Sequence, residues 1–292
     1  MSTDRAPNKS VSFDPLLPAC VFCGSGRIAA YDRDYLGRTV QRCGDCRVLF
    51  MNPQFSDAWL AEFYGEYIPE ASSEESDAER AAKAPVHHYH LELIEKAGPV
   101  GRLLSVGCGS GVELEVARQR GWQVEGYDVD DATVKRVAAK LQVEIRSGKF
   151  LEIPYQKGAY DCVYLHHVLE HPKNPQAYLR RIHEILKPGG VLFIACPNLG
   201  SVSNVTKTAL GKVGLKGKRG KHYDTWHHLF YYSPAVLAPI LERHFGYEVV
   251  QTVNGLKGRD RGGFFSLETR ARVNGALPCF SSIFLLVARR PR

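Results

Sequence analysis

A glycine-rich turn after an apolar run constrains this chain more than any other feature. Residues 103–111 read Leu-Leu-Ser-Val-Gly-Cys-Gly-Ser-Gly, and their apolar start without helical spacing predicts a buried parallel strand. The three glycines let the backbone turn sharply and approach a ligand closely, and a helix is predicted directly after them. A dinucleotide-binding turn requires a glycine at its sixth place, where this chain has Val112. The spacing therefore disfavours a dinucleotide.

The next apolar run ends on an acid that fits the same site. Asp128 lies 17 positions after Gly111 and closes a predicted strand over residues 122–128. A carboxylate at that place can accept hydrogen bonds from both hydroxyl groups of a ribose.

Length and composition set the protein class. The 292 residues are 44% hydrophobic and 24% charged, as expected for a globular protein with one large domain and a small appendage. The first residues carry no signal peptide and no apolar run is long enough to span a bilayer, so we expect a cytoplasmic protein. The net charge of +7 does not by itself indicate a nucleic-acid partner.

Four of the eight cysteines form two closely spaced pairs. Cys20-x2-Cys23 and Cys43-x2-Cys46 are separated by 19 residues, which is typical of a four-cysteine zinc ribbon. Four thiolate ligands close the coordination shell, so the zinc is expected to be structural; redox pairing is the alternative. Arginines and aspartates alternate between the pairs, which argues against a nucleic-acid-binding face.

Strands and helices alternate along the rest of the chain. This order predicts an α/β fold, a Rossmann-like, seven-stranded, mostly parallel sheet preceded by the small zinc ribbon. The expected domains are a mobile tail (1–18), the zinc ribbon with a short aromatic helix (19–68), an acidic linker (69–85) and the α/β domain (86–292), which includes a basic lid loop (198–225).

Several segments in consistent order resemble one enzyme family. The glycine turn, Tyr-Asp-Cys-Val-Tyr-Leu-His-His-Val-Leu-Glu-His (160–171), Leu-Lys-Pro-Gly-Gly (186–190) and His-His-Leu-Phe-Tyr-Tyr-Ser-Pro (227–234) are similar to class I S-adenosylmethionine (SAM) methyltransferases. The cysteine segment resembles the zinc-binding front end of bacterial methyltransferases linked to sugars and cell-surface glycans. The resemblance implies SAM and structural zinc as cofactors.

The resemblance also assigns the cofactor-binding residues. Gly107, Gly109 and Gly111 would contact the methionine and ribose part of SAM, and Asp128 its ribose hydroxyls. Val129 would flank the adenine, and His166 would lie near the sulfonium.

Two residues depart from the family pattern. Ser105 stands where an acid usually precedes the first glycine by two residues. Lys149 stands near the place where an acid often meets the adenine amine.

The histidines after the fourth predicted parallel strand are the candidates for catalysis. His167 or His171 can act as a general base, because an imidazole near its ordinary pKa suits proton removal from an oxygen. Two alternatives are that the segment only organises a loop, or that His167, Glu170 and His171 hold a divalent metal with His228. The last arrangement resembles the metal site of small-RNA 2′-O-methyltransferases.

The resulting hypothesis is O-methylation of a small sugar-like or anionic acceptor, such as a phosphorylated or nucleotide-linked sugar. The basic residues within 207–221 would either form a solvated loop or contact the anionic group. The alternatives are a metal-assisted RNA 2′-O-methyltransferase and a non-catalytic zinc-dependent binding protein with a degenerate SAM fold. The sequence gives no indication of the oligomeric state.

Overall fold

The computed structural model describes residues 11–71, 75–215, 220–223, 227–256 and 281–292, with the backbone alone at residues 66–71 and 221. The N-terminal elements are β1 (Ile28–Arg33), β2 (Thr39–Cys43), β3 (Leu49–Met51), α1 (Asp57–Ala71) and α2 (Asp77–Ala97). The central elements are β4 (Arg102–Val106), α3 (Val112–Gln119), β5 (Gln123–Tyr127), α4 (Asp131–Leu141), β6 (Ile145–Arg146), β7 (Tyr160–His166) and α5 (Pro175–Ile185). The C-terminal elements are β8 (Leu186–Pro197), α6 (Val202–Lys212), β9 (Phe230–Tyr231), α7 (Pro234–Phe245), β10 (Glu248–Asn254) and β11 (Ile283–Arg289), and short 3-10 turns lie at Phe150–Glu152 and Lys221–Tyr223.

The large sheet confirms the predicted architecture. Its seven strands run in the order β10-β11-β8-β7-β4-β5-β6, and β11 alone runs antiparallel to its neighbours. The middle strands are buried on both faces because α2 and α3 cover one face and α5 and α7 the other. The carboxyl ends of β4, β5, β7 and β8 therefore open on one edge, where open α/β sheets bind ligands.

A second, antiparallel sheet contains the cysteine segment. Its order is β1-β2-β3-β9, so the last strand comes from the far end of the chain. Phe50 of β3 pairs with Phe230 of β9, and their rings stack at 6.2 Å. The core of this sheet is continuous with the core beneath α5 and α7. The small N-terminal unit is thus built onto the large one.

The segment predicted as an acidic linker is largely helical. α1 extends to Ala71 and α2 begins at Asp77, nine residues before the predicted start at residue 86. Ser76 and Glu79 form a reciprocal capping box, and Asp77 lies in the first turn. The acidic composition that suggested a linker stabilises the start of a helix, since carboxylates favour the positive end of the helix dipole.

The tail and the basic loop also differ from their predictions. Residues 11–18 are attached to the fold: Phe13 bridges and stacks on Phe55, and the Asp14 amide donates to the Gln54 carbonyl at 2.9 Å. Within the predicted loop 198–225, residues 202–212 form α6, because the Ser201 side chain caps its first turn. Residues 1–10, 216–219 and 224–226 lie outside the described residues.

Candidate active site

The glycine turn follows β4 as predicted. Gly107, Gly109 and Gly111 have φ angles of +73°, +48° and +72°, the left-handed region that other residues rarely adopt. The Gly107 amide donates to the Tyr127 carbonyl at 2.7 Å, which ties the turn to the end of β5. A Cβ atom on Gly109 would meet no atom within 4 Å. The turn thus leaves an open surface beside Gly109 for a ligand.

The carboxylate of Asp128 lies against this turn. Its Oδ2 accepts from the Gly109 amide at 2.8 Å, and its Oδ1 accepts from the Asp130 amide at 3.2 Å. Burial raises the pKa of Asp128, which these backbone donors partly offset. The next residue, Val129, exposes 59% of its surface. The carboxylate and the exposed apolar side chain therefore stand side by side, as an adenosine ligand requires.

His166 ends β7 in a group of buried rings that the sequence analysis did not include. Its ring lies 5.4 Å from those of His87 and His90 on α2. The Tyr164 hydroxyl lies 2.9 Å from His87 Nδ1 and 2.7 Å from His90 Nδ1. Burial lowers the pKa of His166 well below its usual value and that of His87 to about 4. These imidazoles are therefore neutral at physiological pH, and the spacing of His87 and His90 on one helix face was the available signal.

A cavity of about 670 Å³ opens beyond the carboxyl ends of β7 and β8. The predicted catalytic residues His167 and His171 both line it, whereas the glycine turn and His166 are not among its lining residues. His167 has a φ of +57°, an uncommon conformation for a residue other than glycine, and its amide donates to the Ala195 carbonyl. The other walls come from α1, α6, β9 and the segments around residues 197, 222 and 282.

Glu170 is the buried acid of this cavity, with 1% of its surface exposed. Its Oε1 lies 3.2 Å from His167 Nδ1, and its Oε2 accepts from Cys196 Sγ at 3.3 Å. Burial alone would raise the pKa of Glu170, yet the hydrogen bond from His167 and the imidazoles of His171 and His228 lower it well below its usual range. Glu170 is therefore ionised, and its carboxylate can accept a hydrogen bond from His167 Nδ1.

Three histidines converge beside this acid. Ligand atoms of His171, His227 and His228 all lie within 4.8 Å of one another. The rings of His171 and His227 stack at 5.0 Å, and His171 Nδ1 lies 3.1 Å from the His227 carbonyl oxygen. Burial lowers the pKa of His228 to about 3 and that of His227 well below its usual value. Two of the four predicted metal ligands, His171 and His228, thus converge with His227, whereas His167 and Glu170 pair with each other and are not part of this group.

The four predicted zinc ligands form a compact cluster. Cys20 Sγ lies 3.5 Å from Cys46 Sγ, Cys23 Sγ lies 3.5 Å from Cys43 Sγ, and all four sulfurs lie within 4.8 Å of one another. No disulfide joins these four cysteines, and sulfurs at Zn–S distances of about 2.3 Å around one ion would be about 3.8 Å apart. The donor set and its spacing therefore fit tetrahedral zinc.

The described helices include none that is long and apolar enough to cross a membrane.

Lys149, the second departure from the family pattern, is exposed and pairs with Glu152 at 2.9 Å. Its ammonium group therefore lies at the surface.

Among curated proteins, the chain is similar to a probable S-adenosylmethionine-dependent methyltransferase of Mycolicibacterium smegmatis, with 33% identity over 33% of this chain and 38% of that protein. It is also 33% identical to the ubiquinone biosynthesis O-methyltransferase of Pseudomonas paraeruginosa, over 36% of this chain and 48% of that protein. The chain thus spans less than half the length of these two relatives.

Solved structures share the fold. A protein of Pyrococcus horikoshii superposes with a TM-score of 0.52 at 13% identity, covering 79% of this chain and 99% of that one. The [4+2]-cyclase SpnF superposes with a TM-score of 0.51 at 20% identity, covering 72% and 82%. The fold neighbours therefore include a protein named for a reaction other than methyl transfer.

A family model assigns the chain more directly. The model described as a methyltransferase domain matches residues 76–252, which is more than half of the sequence, from the start of α2 to β10. The match contains the glycine turn, Asp128 and the histidine cluster in one continuous segment. The chain belongs to the methyltransferase-domain family, whose methyl donor is SAM.

Proposed function

We propose that this protein methylates a hydroxyl group of a small, sugar-like or anionic acceptor with SAM as donor. The observation that carries this proposal is the His167–Glu170 pair, which faces the cavity at the ligand-binding edge of the sheet. The sulfonium methyl group of SAM is already activated, so the protein supplies alignment, exclusion of water and a base.

The hydrogen bonds of His167 orient it as that base. When Nδ1 donates to the Glu170 carboxylate, the Nε2 lone pair is free to take the proton of the acceptor hydroxyl. The buried negative charge of Glu170 then stabilises the imidazolium that forms. His171 is held in the same way by the His227 carbonyl, which makes it the second candidate. The neutral His227 and His228 line the acceptor side without adding charge.

The charge of the cavity supports an anionic acceptor. Lys207 on α6 is half-buried and is the one lysine or arginine among the described lining residues. Asn204, three residues earlier, shares its helix face and also lines the cavity. An ammonium group at this place favours a carboxylate or phosphate on the ligand. The aromatic side chains in the cavity wall can pack against a ring of the ligand. They are Tyr223, Phe230, Tyr231 and Tyr232.

We further propose that the cysteine cluster holds one structural zinc ion, and that this ion stabilises the cavity through β9. Hydrogen bonding between the Cys20 and Cys46 sulfurs lowers the pKa of Cys20 to about 5 but raises that of Cys46, so the metal site is supported by the proximity of the four sulfurs rather than by their protonation. Elemental analysis of the purified protein should give one zinc per chain. A protein that is purified without chelator and is folded yet contains no zinc would contradict the zinc proposal.

Titration calorimetry with SAM, followed by an acceptor panel, tests the function. The panel pairs protocatechuate with catechol, glucuronate with glucose, and a nucleotide sugar with its free sugar. We expect SAM binding and methyl transfer to the anionic member of at least one pair. SAM binding without transfer to any hydroxyl compound would contradict O-methylation, and no SAM binding would favour the non-catalytic alternative. Affinity for RNA that falls steeply with added salt would favour the RNA alternative.

A further inference from the structure

Ser105 stands where an acid usually precedes the glycine turn, and a carboxyl group beside it can take the place of that acid. Ser105, at the end of β4, is 1% exposed and donates from Oγ to Glu113 Oε1 at 2.8 Å. Glu113 is the second residue of α3 and is 8% exposed. Its side chain thus reaches back across the glycine turn and places a carboxyl group beside position 105.

The guanidinium of Arg80 forms its salt bridge with Glu115 rather than with Glu113. Arg80 on α2 pairs with Glu115 at 2.6 Å and donates to the Ser110 carbonyl at 2.6 Å, so it fastens α2 to the glycine turn. Arg80 still lowers the pKa of Glu113, as does the hydrogen bond from Ser105, but burial is the larger effect and raises that pKa to about 7.

Among the described residues, the other titratable groups that interact with Glu113 carry no positive charge. Asp128 from the β5 end raises the pKa of Glu113. Cys108 in the turn and Tyr164 on β7 also face it, and burial raises the pKa of each well above its usual value. Both are therefore uncharged at neutral pH, and the region beside the turn contains acids that a cationic ligand would stabilise.

We propose that Glu113 supplies the carboxylate that the cofactor site lacks at position 105, and that it gives up its proton when SAM binds. This inference rests on the proposed function. The sulfonium and the α-ammonium group of SAM carry two positive charges against one carboxylate, so the ligand arrives as a net cation. A buried carboxyl group beside that cation ionises, and its proton passes to the buffer.

The expected signature is a pH-dependent affinity. Below its pKa Glu113 is neutral and contributes little, and above it the carboxylate attracts the ligand. SAM affinity of the wild-type chain should rise about tenfold between about pH 6 and about pH 8, since each unit of pKa change is a factor of ten. Calorimetry in buffers of different ionisation enthalpy should record net proton release near neutral pH.

Substitutions separate this role from packing. Glu113→Gln should weaken SAM binding about tenfold at pH 8 and flatten the pH dependence. Glu92→Gln is the control, because Glu92 is an exposed acid on α2. It should keep the wild-type profile. The amino group of SAM titrates equally in all variants.

Rescue and a second variant keep the test decisive. Ser105→Asp added to Glu113→Gln should restore affinity by returning the acid to the usual position. Ser105→Ala removes a donor that lowers the pKa of Glu113, so it should move the pH midpoint upward. Wild-type affinity and pH dependence in Glu113→Gln, or an unshifted midpoint in Ser105→Ala, would overturn the proposal. A wild-type chain that binds no SAM would instead refute the proposed function.

Discussion

The proposed cofactor site and the proposed acceptor cavity of this protein are built in different ways. The glycine turn, Asp128 and Val129 lie within one βαβ unit, and backbone hydrogen bonds fix their positions. The acceptor cavity is assembled from β7, β8, α1, α6 and β9, with residues from position 64 to position 283. The first site is a local property of the chain, whereas the second depends on the whole fold. Changes on each side should therefore have separable effects.

The largest effect is expected at the proposed base. His167→Asn should lower kcat by about a thousandfold, in the range for loss of general acid–base catalysis, while SAM affinity stays unchanged. Asparagine is chosen because it tolerates the left-handed backbone at this position. His244→Asn, at an exposed site on α7, is the control for single-turnover measurements. Equal rates in both variants would remove His167 from the mechanism.

The next effect should fall on the cofactor side alone. Asp128→Ala removes the buried carboxylate beside Gly109 and should weaken SAM binding about a hundredfold, because a charged hydrogen-bonding group is lost. Asp131→Ala changes an exposed acid of α4 and should leave calorimetric binding unaltered. Undiminished binding in Asp128→Ala would show that the cofactor lies elsewhere.

Zinc removal should affect the proposed acceptor cavity rather than the proposed cofactor site. Cys20→Ser should weaken acceptor binding more than about tenfold, because β3 no longer holds β9 and the histidines before it, and SAM binding should change less than about twofold. Competition by the methylated product and SAM calorimetry give the two readings. Equal losses on both sides would contradict the separation.

The smallest effect is expected at the charged end of the cavity. Lys207→Gln should raise KM for an anionic acceptor about tenfold and leave its neutral partner unchanged. Lys212→Gln is the control, since Lys212 lies on the same helix over the ring of Tyr31. If both acceptors lose affinity equally, Lys207 acts through packing.

The sequence predicted the large sheet well because its signals are local. Apolar runs and the glycine turn indicate the strands, and β5 lies within its predicted range of 122–128. The cysteine cluster and the glycine turn were equally predictable from the sequence, because the spacing of their residues indicates the chemistry.

The misses have two physical origins, helix caps that outweigh composition and contacts that form only in the folded chain. Composition suggested a linker at 69–85 and a loop at 198–225, whereas capping by Ser76 and Ser201 allows helices there. The contribution of His227 to the cavity depends on the pairing of β9 with β3, which no local pattern encodes. The compensation of Ser105 by Glu113 depends on a helical side chain reaching backward.

The pairing of β9 with β3 also has a consequence during synthesis, because β3 is made long before its partner strand. The hydrogen bond from the Tyr223 hydroxyl to Asp32 joins residues 191 positions apart, and β9 follows a few residues later. A ribosome adding about 5–20 residues per second needs roughly ten to forty seconds to cover that distance. During this interval the edge of β3, with Phe50 and Met51, has no partner strand, and such edges invite association with other chains. Metal binding at the cysteine cluster can order β1 to β3 early but cannot cover this edge, because the strand that pairs with it is made last in this sheet.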